Sequence, residues 1–299
     1  MRTIRLHKIA DLPDTAGGWT LRASCVANDG SLLFLSVADA RRETSEGAPC
    51  GVGTSDPQTP TGKAFRLSIV PVQGTPQSVA LPPLDIAAHY VDLFPDGRIL
   101  LVYPRSYPEG VGNAVIYDPA SGQHTRIDLD DGISHVYVDS LARIWVGYFD
   151  EGVFGGGVGS AGLVCFSAAG DIIWSYPPDD GMADCYALNV SGAEAAMFFY
   201  TDFPLCKISS DFQLSYWTTE LGGCHRFALS GSDVLFSRQY KDPPDAAYWG
   251  QLTSDGTLRT ERVQLQLPDG SPLPKGQLLG RGRDLTFFGA EAVYRISLT

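Results

Sequence analysis

No Cys-x-x-Cys pair occurs in this chain, and its six cysteines, Cys25, Cys50, Cys165, Cys185, Cys206 and Cys224, stand far apart. A disulfide framework stapling a small secreted domain needs denser cysteine, so reduced thiols are expected. Positive charge is scarce as well: 22 Lys and Arg face 34 Asp and Glu, for a formal net charge of −12. No basic cluster is present to neutralise phosphates, which argues against a nucleic-acid partner. No apolar run approaches the roughly 18 residues of a membrane span. The opening stretch MRTIRLHKIADLPD carries charge but no apolar middle, unlike a secretory signal. These absences describe a soluble, acidic, cytoplasmic protein with neither membrane nor nucleic acid as partner.

What is present is enough apolar material for a sizeable core, with 44% hydrophobic and 19% charged residues. The apolar residues are arranged in repeats. Five segments share one form, a short strand, a tight turn rich in Gly, Asp or Ser, and a stronger apolar strand. They read SCVANDGSLLFLSV, HYVDLFPDGRILLVY, SHVYVDSLARIWVGYF, CYALNVSGAEAAMFFY and CHRFALSGSDVLFSRQY, with GQLLGRGRDLTFFG as a looser sixth. The residues just after the turns are Ser31, Arg98, Arg143, Ala195, Asp233 and Asp284. Each unit continues into a second hairpin, as in AVIYDPASGQHTRIDL, GLVCFSAAGDIIWSY, LCKISSDFQLSYWTT and WGQLTSDGTLRTERVQL, whose central dipeptides have hairpin-turn chemistry.

Four strands per unit, six units and no convincing 3.6-residue apolar stripe predict an all-β fold. The expected architecture is a single six-bladed β-propeller of four-stranded antiparallel blades spanning residues 1–299. Blades are expected at about 14–85, 86–131, 132–180, 181–220, 221–268 and 269–299 plus 1–13. The last unit has only AVYRISL after LTFFG, so RTIRLHKI at the N-terminus is expected to supply the missing outer strand and close the ring. Two β-sandwiches would also give many short strands, but the regular unit and the missing strand favour the ring. Segments such as RIWVGYF followed by LVCFSAAGDIIWSYP resemble β-propellers with NHL-like or lyase-like blades. That resemblance implies fold and not activity.

One tract imitates a different fold. Gly157, Gly159 and Gly162 spell G-x-G-x-x-G after an apolar run. A dinucleotide fingerprint needs a helix next, whose N–H groups hold the pyrophosphate. Here LVCFSAAGDIIWSY follows and turns like a hairpin, so no nucleotide cofactor is expected and the glycines are read as a bending loop.

In such a ring, the loops before each innermost strand and those joining strands two and three open on one face. His89, His135, Cys185, Cys224, His225 and Lys275 fall at the first set, and Tyr103, Arg105, Tyr148, Asp150, Tyr200, Asp202, Arg238 and Tyr240 near the second. The expected catalytic group is His135, Tyr148, Asp150 and Asp202, for acid–base work. The expected ligand contacts are His89, Tyr103, Arg105, Tyr200, Arg238 and Tyr240. His135, Cys185, Cys224 and His225 are two imidazoles and two thiolates, a set that suits a divalent metal, Zn²⁺ above all, although they come from separate units. The bland reading of the same residues is a satisfied core histidine among buried thiols. The polar stretch over residues 38–65 is a long insertion expected over the same face, as a lid or a loose loop.

Two function classes follow. One is an enzyme of hydrolase, lyase or isomerase type acting on a small molecule at the channel mouth, metal-assisted or by His, Tyr and Asp. The other is a non-catalytic propeller that binds a protein or ligand partner through its Tyr- and Arg-rich face.

Overall fold

Each repeat becomes an antiparallel meander in the computed structural model, which describes residues 2–13, 17–38, 63–107, 111–177 and 181–299. Two N-terminal strands, β1 (Arg2–Arg5) and β2 (His7–Asp11), precede the first blade of β3 (Trp19–Val26), β4 (Leu32–Ala38), β5 (Lys63–Val70) and β6 (Gln77–Leu84). Blade two holds β7 (Tyr90–Leu93), β8 (Ile99–Val102), β9 (Ala114–Tyr117) and β10 (His124–Ile127). Blade three holds β11 (Ile133–Val138), β12 (Ile144–Tyr148), β13 (Leu163–Phe166) and β14 (Ile172–Ser175). Blade four holds β15 (Asp184–Ser191), β16 (Glu194–Tyr200), β17 (Leu205–Ile208) and β18 (Leu214–Trp217). Blade five has β19 (Phe227–Ser230), β20 (Asp233–Ser237), β21 (Ala246–Leu252) and β22 (Leu258–Gln266), and blade six has β23 (Gln277–Arg281), β24 (Asp284–Phe288) and β25 (Ala292–Ser297). The first strands of the blades touch in ring order, from β3 through β7, β11, β15, β19 and β23 back to β3. The fold is therefore a closed six-bladed propeller. No helix among the described residues is long and apolar enough to cross a membrane.

The second and third strands are sandwiched between neighbouring blades on both faces, so they read as unbroken apolar runs rather than alternating ones. ILLV of β8, AVIY of β9 and LVCF of β13 are buried at every position. Cys25, Cys165, Cys185, Cys206 and Cys224 are all buried. Polar side chains stitch blade to blade at the turns. Asp139 accepts hydrogen bonds from Arg143 Nε at 2.6 Å and Trp145 Nε1 at 3.0 Å, while Arg143 Nη2 donates to Ala193 O of blade four at 2.6 Å.

The N-terminus closes the ring as expected, but by two strands rather than one. β2 pairs antiparallel with β25 as the outer strand of blade six, and β1 runs parallel to β22 as a fifth strand on blade five. Leu6, fully buried between them, anchors the crossover. Arg2 pairs with Glu261 at 3.0 Å and lies over the Trp249 ring at 4.4 Å.

The channel is obstructed from within. Asp92 of β7 and Arg281 of β23 form a buried ion pair at 3.1 Å, and Asp92 also accepts the Val138 N–H of β11 at 2.7 Å. Asn189 of β15 donates to Phe227 O at 2.8 Å and Gly282 O at 2.9 Å. Gly280 sits so close to the Phe227 carbonyl that a Cβ there would overlap it, which is why this inner strand carries glycine.

The glycine-rich tract lies between β12 and β13, with a one-turn helix α1 (Asp150–Val153) and a second short helical turn at Val158–Ala161. Its ligand is part of the same chain: Gly159 N–H donates to Asp130 Oδ2 at 2.8 Å, and Gly157 leaves room for that carboxylate. Gly156 and Gly162 take positive φ, as a bending loop requires. The possible lid over residues 38–65 falls outside the described residues apart from its two ends.

Candidate functional site

Three of the six innermost strands carry a β-bulge near their start, where one extra residue opposes the partner strand. The extra residues are Arg22 in β3, Ser134 in β11 and Tyr186 in β15. A bulge re-aims its side chain and shifts the alternation behind it. Arg22 and Ser134 line the wall at the channel mouth, and the Tyr186 ring stacks on His225 at 5.0 Å. Blades two and five deliver side chains from residues just ahead of their inner strands, His89 before β7 and Arg226 before β19.

Arg22, Ser134, His89 and Arg226 line a cavity of about 120 Å³ that also touches Ser24, Tyr90, His135, Tyr137 and Gln277. Its floor is Tyr137, whose hydroxyl donates to Gly280 O at 3.3 Å and whose ring carries the Arg281 guanidinium at 4.8 Å. The buried Asp92–Arg281 pair thus stands against the far side of Tyr137. Tyr90 OH lies 3.1 Å from both Ile133 O and Ser134 O, bracing blade two against blade three. Arg22 Nε donates to Ala88 O at 3.2 Å, and its Nη2 is hydrogen-bonded to His89 Nε2.

Burial and cationic neighbours keep the mouth imidazoles neutral. Desolvation first and Arg22 second lower His89, and desolvation followed by Arg226 lowers His225. One carboxyl moves the other way: burial, helped by Asp150, raises Asp184 to about 6. Tyr186 joins the two, with its ring against His225 and its hydroxyl raised by burial and by Asp184.

The expected catalytic group does not assemble as a unit. His135 turns into the space between blades three and four, where Gly147 has no Cβ to exclude it. Its Nε2–H donates to Tyr186 O at 3.2 Å, and burial holds its pKa at about 3, so it braces the bulge rather than exchanging protons near neutrality. Tyr148 is fully buried under the glycine loop and donates to Leu129 O at 2.6 Å, which removes it from the mouth. Asp150 and Asp202 are exposed on rim loops, and of the two it is Asp150 that influences Asp184.

The ligand contacts divide similarly. His89 lines the cavity, with its ring edge-on to Tyr103 at 5.5 Å. Arg105 is held by Asp131 at 3.0 Å and by Glu151, and Arg238 by the carbonyls of Tyr240 at 3.2 Å and Asp242 at 2.8 Å. Both cations brace loops. Tyr200 and Tyr240 are exposed on the rim, at 46% and 81%.

His135, Cys185, Cys224 and His225 do not form a metal-ligating group. No three His, Cys, Asp or Glu side chains among the described residues converge to hold an ion. Cys224 packs in the apolar cluster of Phe198, Phe227 and Phe236, and its thiol is pushed up to about 12 by burial and then by Asp242. Burial and Asp184 likewise raise the Cys185 thiol. Arg22, Ser134, Tyr186, Asp184 and Arg226 were not singled out from the sequence. The available signal was the alternation slip in the inner strands, visible only once partner strands are aligned.

No protein-family model and no curated protein sequence matches this chain. Solved structures do resemble it. A virginiamycin B lyase from Staphylococcus aureus is 13% identical, with 99% of each chain covered and a TM-score of 0.51. A streptogramin B lyase is 13% identical with 98% of each chain covered and a TM-score of 0.50. Hsv2 from Kluyveromyces lactis is 12% identical, with 93% of this chain and 74% of that one covered and a TM-score of 0.53. At these identities the likeness is one of fold, and the chain takes its place among the β-propellers.

Proposed function

We propose that this protein is an enzyme that moves a proton on a small molecule held at the mouth of its channel, the opening step of lyase or isomerase chemistry. The observation that carries the reading is the convergence of proton affinities around Tyr186. The His225 imidazole is lowered from its ordinary 6.5 and the Asp184 carboxyl is raised from 3.8 to about 6, so a base and an acid brought toward each other in proton affinity stand beside Tyr186. Perturbed groups with proton affinities near the working pH are suited to acid–base work. Neutral His225 accepts the proton, Asp184 supplies or relays one, and Tyr186 fixes the distance between them.

The test follows small organic acids and amides in D₂O by NMR, reading deuterium incorporation or product with the full chain. Both His225→Gln and Asp184→Asn should lower the rate by about 10²-fold or more, within the range for general acid–base groups. Unchanged rates in both folded variants would remove the reading. A second reading, partner docking, is favoured by the exposure of Tyr240 and Tyr200 on the same rim. It requires Tyr240→Ala to abolish capture of a partner while leaving any turnover intact.

A further inference from the structure

The mouth contains two guanidinium groups that no carboxylate among the described residues pairs with, in a chain whose net charge is −12. None of the ion pairs among the described residues includes Arg22 or Arg226. Both line the same cavity of about 120 Å³, reached from blade one and from blade five. Their own hydrogen bonds use only part of each fork. Arg22 reaches Ala88 O and His89, and Arg226 Nη1 reaches His225 O at 2.5 Å. Arg226 Nε is buried with no partner at all.

The Arg226 charge is directed toward the middle of the ring. It acts on Tyr90 of blade two, His135 and Tyr137 of blade three and Cys185 of blade four. A buried donor without an acceptor is costly unless something supplies one. A guanidinium presents a planar fork that matches an oxyanion.

Building on the reading of the mouth as a small-molecule site, we infer that its ligand carries an oxyanion head group, a carboxylate or a phosphate, gripped between Arg226 and Arg22. The His89 imidazole lines the same cavity, and the His225 backbone carbonyl holds Arg226 from outside it. Charge that develops beside the anion on proton removal spreads toward the guanidinium pair.

Calorimetric titration of the full chain tests this with acetate, succinate and inorganic phosphate as probes and acetamide as the uncharged control. Saturable binding of at least one anion, with none of acetamide, is expected. The preferred probe identifies the head group as carboxylate or phosphate. Arg226→Met should weaken binding about ten-fold or more, as should Arg22→Met, whereas Arg226→Lys keeps the charge, loses the fork and falls between. Arg259→Met, which removes an exposed cation on blade five, should change nothing. If Arg226→Met fails to fold, the exposed Arg22→Met decides. Absence of saturable anion binding, or equal binding in the Met variants and in Arg259→Met, overturns the inference. Anion binding that persists without turnover in any assay leaves this inference standing and removes the proton-transfer reading. Turnover restricted to uncharged molecules does the reverse.

Discussion

Asp92 and Arg281 meet at 3.1 Å in the buried interior of the ring, brought together from the inner strands of the second and sixth blades. The Asp92 carboxyl is fully buried and also holds the N–H groups of Val138 at 2.7 Å and Leu93 at 2.8 Å. Burial raises its proton affinity, and Arg281 opposes that rise. Removing one partner strands the other without water. Arg281→Met is expected to lower stability by about 3–5 kcal/mol. Asp92→Leu combined with Arg281→Met should recover only part of that loss, since it removes the stranded charge but leaves the Val138 N–H and carbonyl without their side-chain partners. Guanidinium denaturation of the three proteins measures both effects.

His135 sets an acid limit on stability. Its folded pKa is about 3, against an ordinary 6.5. Above pH 6.5 neither folded nor unfolded chain protonates it, and its contribution is intact. As pH falls toward 3 the unfolded chain takes up a proton that the folded chain refuses, so stability drops by up to about 1.4 kcal/mol per pH unit. His135→Gln should remove that slope in melts at pH 7, 5.5 and 4. Identical slopes in both proteins would mean that His135 titrates freely.

Asp184 works in the opposite direction. Its pKa is raised to about 6 in the fold from an ordinary 3.8, so the ionised form is disfavoured there and stability is lost as pH rises through 6. Asp184→Asn should therefore stabilise the protein at pH 7 by about 1–2 kcal/mol after solvent screening. The gain should vanish below pH 4, where both proteins carry a neutral group. Stabilisation accompanied by lost turnover is the pattern of a strained working site.

Gly147 separates two blades by the width of a missing methyl. A Cβ there would lie 2.8 Å from Cys185 Sγ and 3.3 Å from His135 Cδ2. Gly147→Ala should destabilise by about 1–3 kcal/mol through overpacking. Adding Cys185→Ala removes the sulfur and should restore part of that, a positive coupling in a double-mutant cycle. Simple additivity would show that strain at the backbone, and not the thiol, sets the penalty.

The blades were legible because their apolar runs and turn residues are local signals. RIWVGYF and LVCF announce themselves as strands whatever surrounds them. The mouth was legible as a place, and His89 and His225 as occupants. It was not legible in detail, because each bulge adds one residue to a strand of period two and reverses which side chains face the channel. That is how His135 and Cys185 exchange places with Ser134 and Tyr186. Tyr148 was misplaced for another reason: the loop that covers it is held by Asp130, a contact across 29 residues of sequence. Arg226 gave no sign of its role, since only the ring shows that its charge has no ion-pair partner among the described residues.

The paired placement of β1 and β2 also has a consequence for biosynthesis. Residues 2–11 are made well before their partners β22 and β25. The segment has to wait, without those partners, through the synthesis of the five blades between. Its sequence suits a long exposure: RTIRLHKIAD interrupts its few apolar residues with three cations, Arg2, Arg5 and Lys8, a composition that discourages premature strand pairing with other chains. When Leu6 finally packs between blades five and six, this early segment becomes the latch of the ring.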